Sequence, residues 1–587
     1  MNFCKAKILN FTGKQFNVEL NLNPQYLVNL RTDILIIPMK NYVLLFAFFL
    51  CFTSLFAQTP KKSPIDNEKP KLVVGIVVDQ MRYDYITRFW NKYGQEGFKR
   101  LINEGYSFKN NHFNYIPTYT APGHASVFTG TTPQNHGIIG NGWYNKFEKK
   151  EVYNAGDDSV ESVGTSTDAG KMSPHRMIAT TVADENRLFT QMKGKTIGVG
   201  IKDRGAILPA GHTANAAYWF HGSDEGKWIT STFYMEKLPN WVNEFNNSGK
   251  AASYIKTWNT LGDIEAYTES GPDLNDFEEG FDGQTTFPYD LAALSTEKNK
   301  FERVKISPFG NTLTTDFAIA AMKAEDLGKD DHTDFLTVSY SSTDYIGHNF
   351  GVNSKEVQDT YLRLDLDLAR LLAALDEQVG EGNYTLFLTS DHGGVDVPSY
   401  LKTVNVPSGY FDNEEFETKL ENFVEEEFDN ADLIEKVYNS QIFFDYTALQ
   451  EADIRASDLE NALAHFILQY PQVNNVYTRT QMQSATFSEG TAQLVQNGFN
   501  QKRSGDVIMV LKPSVISYSV TGSTHGSGFN YDTHAPLIFF GNGVPQGSTF
   551  KHSEIIDIAP TISAILGISN PNAATGTPLY IMLDKNK

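Results

Sequence analysis

The stretch LVVGIVVD, residues 72–79, decides the fold. Apolar residues and one glycine run without a polar interruption and end on an acid, Asp79. Such a run is the pattern of a strand buried on both faces, as in a parallel sheet covered by helices. The pattern recurs in TIGVGIK (196–202), DFLTVSYS (334–341), YTLFLTSD (384–391), VIMVL (507–511) and PLIFFG (536–541). Helical patterns lie between several of these runs. GFKRLINEG (97–105) carries a glycine where a C-cap belongs, SKEVQDTYLRLDLDLARLLAALDEQVG (354–380) is long and amphipathic, and IIDIAPTISAILGI (555–568) closes the chain. The alternation predicts an α/β fold: a central, mainly parallel sheet flanked by helices. Two regions break the rhythm. Residues 210–300 are rich in Trp, Tyr, Asn and Gly, and residues 400–505 hold the acidic helix pattern NEEFETKLENFVEEEF. Both are expected to be cap-like insertions in one large catalytic domain covering 71–587, with the glutamate run as a solvated helix face.

Composition narrows the function. The 587-residue chain carries 70 acidic against 49 basic residues, a net charge of −21. A general nucleic-acid binder needs a basic surface to displace counterions, so that class is excluded. An anionic substrate would require the site to reverse this field locally. Near the start, MKNYVLLFAFFLCFTSLFA (39–57) places a lysine before an apolar run that ends on Ala57, the plan of a secretory signal peptide. The run is shorter than the roughly 20 residues of a membrane span. Residues 1–38 are therefore read as an extension preceding the true start at Met39, and 58–70, polar and proline-rich, as a linker. The reading predicts a periplasmic or secreted protein without a membrane anchor. The two cysteines, Cys4 and Cys51, would both be lost on maturation. That excludes disulfides, thiol nucleophiles and cysteine-based zinc sites from the mature chain.

Ligands in open α/β sheets bind beyond the carboxyl ends of the strands. There this sequence places Asp79, then Asp344 and His348 in STDYIGHNFG, then Asp391-His392-Gly393-Gly394, and finally His525 and His534 in GSTHGSGFNYDTHAPL. Taken singly, each is an ordinary cap or turn residue. Together, carboxylates and imidazoles suit zinc, and there are enough of them for two ions. YTAPGHASVFTG (119–130) adds a threonine, Thr120, at a helix start with Pro122 in the first turn, which is an N-cap pattern.

These motifs, in order, resemble the alkaline phosphatase superfamily and within it the bacterial single-domain, phosphate-irrepressible type. The matching segments are D79-Q-M-R, T120-A-P-G-H, G-N141, K202-D-R204, S-T-D344-Y-I-G-H348-N, S-D391-H392-G and T-H525, which span nearly the whole expected mature chain. The resemblance implies an alkaline-phosphatase-like fold and two Zn2+ ions. One would be held by Asp344, His348 and His525, the other by Asp79, Asp391 and His392 with Thr120 completing it. It makes Thr120 the nucleophile and sets Asn141, Lys202 and Arg204 on the phosphoryl oxygens. His124 and His136 would pack or orient the loop, and His534 would be structural. The implied activity is hydrolysis of small phosphate monoesters through a covalent phosphothreonine, by a monomer. A sulfatase-type C/S-x-P-x-R motif does not follow Thr120. Two alternatives stay open: a phosphodiesterase or phosphonate hydrolase of the same superfamily, and a metal-stabilised protein without catalysis.

Overall fold

The computed structural model describes residues 4–9, 15–20 and 69–583. Two units are distinguished, Met1–Ser63 and Pro64–Lys587. The described part of the first is one antiparallel pair, Cys4–Leu9 with Gln15–Leu20. The expected signal peptide and all but the last two residues of the expected linker lie outside the described residues.

The second unit is built on a ten-stranded sheet. Its strands are β1 (Leu72–Val78), β2 (Tyr106–Phe108), β3 (Ser162–Val163), β4 (Thr196–Gly200), β5 (Ala216–His221), β6 (Lys227–Ser231), β7 (Asp334–Tyr340), β8 (Tyr384–Thr389), β9 (Leu537–Gly541) and β10 (Gly547–Thr549). Their spatial order is β10-β2-β9-β8-β1-β7-β4-β5-β6-β3. The five strands β8-β1-β7-β4-β5 run parallel, with LVVGIVV paired between β8 and β7. Every residue of β1 is buried, as the unbroken apolar run predicts. Antiparallel pairs appear toward the edges, where β9 joins β8 and β2, and β6 joins β5 and β3.

Helices cover both faces. The long helix Lys355–Gln378 is capped by Ser354, whose hydroxyl accepts from Val357 N, and it buries Leu364, Leu368, Leu371 and Leu375 at a period of three to four residues. Helix Ile558–Leu566 lies in the core of the opposite face with Phe128 of helix Thr120–Thr129.

Two expectations need correcting. VIMVL (507–511) is not a strand of the central sheet. It belongs to a separate four-stranded sheet with Ile434–Tyr438, Gln441–Phe444 and Val473–Thr478. Val507 and Met509 face one apolar cluster of that region while Ile508 and Val510 face another. Burial on both sides writes the same unbroken run as a central parallel strand, so the pattern alone does not separate them. The first inserted region also starts later than residue 210, because β5 and β6 extend the central sheet as a hairpin. The acidic helix Asn413–Phe428 is as expected: Phe416, Leu420 and Val424 are buried, while Glu414, Glu421 and Glu425 face solvent.

Candidate active site

The parallel middle of the sheet brings its chemistry to one edge. β1 delivers Asp79, β8 delivers Asp391 and His392, and β7 leads into helix α3 (Ser342–Phe350), which carries Asp344 and His348. β4 leads through Lys202 into helix α2 (Asp203–Ala210), which carries Arg204. His525 arrives on the loop before β9, held by a hydrogen bond between its Nδ1 and Thr118 O at 2.8 Å.

Six of the sequence-predicted ligands form one buried constellation. Oxygen or nitrogen atoms of Asp79, Asp391 and His392 lie within 4.8 Å of one another, as do those of Asp344, His392 and His525. His392 belongs to both groups and stacks on His525 with ring centroids 3.4 Å apart. His348 joins from the side, its Nε2 3.1 Å from Asp344 Oδ1. The expected division, with His348 beside Asp344 and His525, thus has His392 between the two groups in this structure.

The carboxylates fit a metal. Both oxygens of Asp79 and Oδ2 of Asp391 are buried without a hydrogen-bond partner. Buried charged oxygens left in this state are costly unless a cation meets them. Lys202 Nζ already meets one of them, 2.7 Å from Asp79 Oδ2, and stands 2.6 Å from Asp344 Oδ2. Burial raises the Asp79 carboxyl well above its ordinary range, and the charge of Asp391 adds to that. Burial acts upward on Asp344 as well, but His348 and Lys202 outweigh it and hold the carboxyl well below its usual range. Burial pushes the His392 and His525 imidazoles down, toward the neutral form that binds metal. These carboxylate and imidazole groups are a donor set that could hold metal.

Thr120 sits at the first position of helix α1 (Thr120–Thr129), not at its cap. Tyr119 occupies the cap position, and no side chain there makes the capping bond. The Ala121 N–H is met instead by Asn141 Oδ1 at 2.9 Å. The Thr120 hydroxyl is therefore not spent on capping. It is buried and lies 3.4 Å from His392 Nε2. Arg204 reaches in from α2 with Nη1 donating to Tyr153 Oη at 3.1 Å, while its Nε is buried without a partner.

The other three histidines singled out in the sequence have partners of their own. His124 places Nδ1 2.9 Å from Thr120 O and 3.3 Å from Asp391 Oδ2, with Nε2 on Ser339 Oγ at 3.0 Å. His136 pairs with Ser126 Oγ. His534 stacks between Tyr83 and His112, away from the cluster. Sequence reasoning gave no role to three residues the structure places at the site. Gln80, at φ +61°, donates through Nε2 to Asp344 Oδ1 at 2.8 Å and through its backbone N–H to Asp391 Oδ1 at 3.2 Å. Asp532 accepts from Gly526 N and Ser527 N and, through its carbonyl, from Gly393 N, so it ties the His525 and His392 loops together. Tyr153 touches both Asp203 and Arg204.

Residues 73–534 match the family described as type I phosphodiesterase / nucleotide pyrophosphatase. The chain belongs to this family. Its relatives include the alkaline phosphatase PafA of Elizabethkingia meningoseptica, 43% identical over 87% of this chain and 94% of that protein. A Myroides odoratus protein named calcium-transporting ATPase is 44% identical over 91% of this chain and 98% of its own length. The crystal structure of wild-type PafA superposes with a TM-score of 0.85 at 42% identity, covering 88% of this chain and all of that one. The α/β architecture is thus the alkaline-phosphatase-like fold.

Proposed function

We propose that the protein is a periplasmic or secreted zinc alkaline phosphatase that hydrolyses phosphate monoesters through a phosphothreonine at Thr120. The observation that carries this reading is the uncapped, buried Thr120 hydroxyl beside His392, at a helix N-terminus and next to orphaned carboxylate oxygens. The alkaline phosphatase relatives support it. So does the solved structure of a PafA variant substituted at a threonine, an asparagine, a lysine and an arginine, the types found here in the same order at Thr120, Asn141, Lys202 and Arg204.

Asp344, His348 and His525 would hold one zinc ion, and Asp79, Asp391, His392 and Thr120 the other. When bound, zinc supplies Lewis acidity that lowers the pKa of an oxygen it contacts and offsets developing negative charge. The chain's own residues do the rest. The N-terminus of α1 turns backbone N–H groups and the positive end of its dipole toward an anion. Lys202 and Arg204 bring two cations to the phosphoryl oxygens, and a guanidinium can grip two of them at once. Thr120 Oγ1, its proton released to solvent, attacks phosphorus; the bond to the leaving oxygen breaks, and that oxygen takes a proton from water. Water then attacks the phosphothreonine, which frees inorganic phosphate and restores the hydroxyl. A dianionic monoester offers three terminal oxygens to this pair of cations, whereas a diester offers one charge and a second bulky group.

The family description favours a second reading, a phosphodiesterase. Comparing an aryl phosphate with its methyl diester separates the two. The expected result is a strong monoester preference that Arg204→Ala erodes, together with loss of all activity on chelation and recovery with zinc. Equal Arg204→Ala losses on both esters, or activity that survives zinc removal, would overturn the proposal. Among the described residues no helix is long and apolar enough to cross a membrane.

A further inference from the structure

The phosphoryl contacts are not free-standing side chains. Asn141 and Arg204 lie on separate segments, yet the same short hairpin holds both. Its strands are Gly142–Asn145 and Lys150–Tyr153, with Gly142 paired to Tyr153. At the end of the hairpin, Tyr153 Oη donates to Asp203 Oδ1 at 2.5 Å and accepts from Arg204 Nη1 at 3.1 Å. The next residue, Asn154, is fully buried and donates twice to Asn141 O, from its backbone N–H at 3.1 Å and from Nδ2 at 2.7 Å. Asn141 in turn holds the N-terminus of the Thr120 helix through Ala121 N. The hairpin also meets the cap. Asn439 Nδ2 donates to Gly142 O at 3.0 Å, and Lys149 pairs with Glu435 at 2.8 Å.

We infer that Tyr153 is a positioning residue that sets the monoester preference by fixing the Arg204 guanidinium in register with Asn141 and Thr120. Arg204 has a long side chain with several rotatable bonds, and ordering it costs entropy each time it binds. A phenol anchored on Asp203 supplies a fixed acceptor for one Nη, which leaves the remaining donors of the fork for the phosphoryl group. The Asp203 backbone precedes Arg204, so the anchor and the guanidinium share one helix start. Loss of the phenol oxygen leaves the aromatic ring and its packing but lets the guanidinium wander. A displacement of that size at a charged contact is felt in the transition state of the dianion, where both cations act together.

This inference rests on the phosphomonoesterase reading, and its test keeps the two apart. Tyr153→Phe, Arg204→Ala and the double variant are compared as zinc-loaded enzymes on an aryl phosphate and its methyl diester. Inhibition by inorganic phosphate is measured in parallel. Tyr153→Phe is expected to lower monoester kcat/KM by about tenfold, the scale of one hydrogen bond to a charged group. It should weaken inhibition by inorganic phosphate similarly and leave the diester within about twofold. In the Arg204→Ala background the same substitution should change nothing, because the group it positions is gone. An effect of Tyr153→Phe that persists without Arg204, or that falls equally on both esters, overturns the inference. So does an unchanged monoester rate. If Arg204→Ala itself fails to distinguish the esters, it is the monoester reading that falls.

Discussion

Lys202 donates its ammonium to Asp344 at 2.6 Å in a place where both side chains are shut off from solvent. Burial alone would push the lysine down, but Asp344 and Asp79 hold it above its ordinary range, so it stays charged. On the proposed reading, this ammonium also meets the phosphoryl group. Lys202→Met keeps the stem and removes the charge. It is expected to cut monoester kcat/KM by roughly a hundredfold to a thousandfold, the range for removing one preorganised charge-stabilising donor. Zinc content by atomic absorption should remain that of the parent. Zinc lost in proportion to rate would make the lysine a holder of the carboxylates instead.

Thr120→Ala should abolish turnover while leaving zinc bound and the fold intact, since the helix start is met by Asn141 and the hydroxyl's hydrogen-bond partner is His392 at 3.4 Å. Thr120→Ser should keep activity and a trappable phosphoprotein. Acid-quenched enzyme incubated with radiolabelled phosphate ester is the readout. Label retained by the alanine variant would place the covalent step on another residue.

The strand-end acids were legible because several strand-like runs end on or lead into an acid or histidine, which is more telling together than any one of them alone. Histidine and aspartate spacing likewise exposed Asp344 and His348 on one helix face. What the sequence hid has physical reasons. Val507–Leu511 is buried from both sides by the cap, so it imitates a central strand. Thr120 looks like a cap because threonine serves that role elsewhere, and only the Asn141 contact, formed across the fold, shows who satisfies the helix start. Gln80 acts through a left-handed backbone that few residue types adopt, which no periodicity announces. Tyr153 meets Arg204 only because the sheet brings distant segments together.

Gly123 faces Asp391 across a gap with no room for a side chain. A Cβ there would stand 2.2 Å from Asp391 O and 2.7 Å from Asp391 Cβ. These are a backbone carbonyl and the root of a buried side chain, and neither yields cheaply. Gly123→Ala should therefore destabilise the protein by about 1–3 kcal/mol, the cost of overpacking. It should also speed zinc release to a chelator, because the shifted group is Asp391. A variant with unchanged melting temperature and zinc release would show that the helix start moves freely.

A buried acid pair predicts a pH effect on stability. Glu278 and Glu356 are almost wholly buried, each with one oxygen lacking a partner, and the other oxygen of Glu356 accepts from Tyr289 at 2.6 Å. Burial, reinforced by Glu356, raises Glu278 from 4.5 to about 10, and burial raises Glu356 from 4.5 to about 8. The folded protein thus keeps protons that the unfolded chain has already released above the ordinary glutamate range. With more protons bound in the folded state, stability falls as pH rises from about 4.5 toward the raised values. The decline is up to about 1.4 kcal/mol per pH unit for each proton retained, and the two acids titrate as a pair. Glu278→Gln removes one such proton and cannot ionise. Its melting temperature, measured at saturating zinc, should gain on the parent's between pH 6 and pH 9. A gap that stays constant over that range would mean that the carboxyl ionises normally in the folded protein.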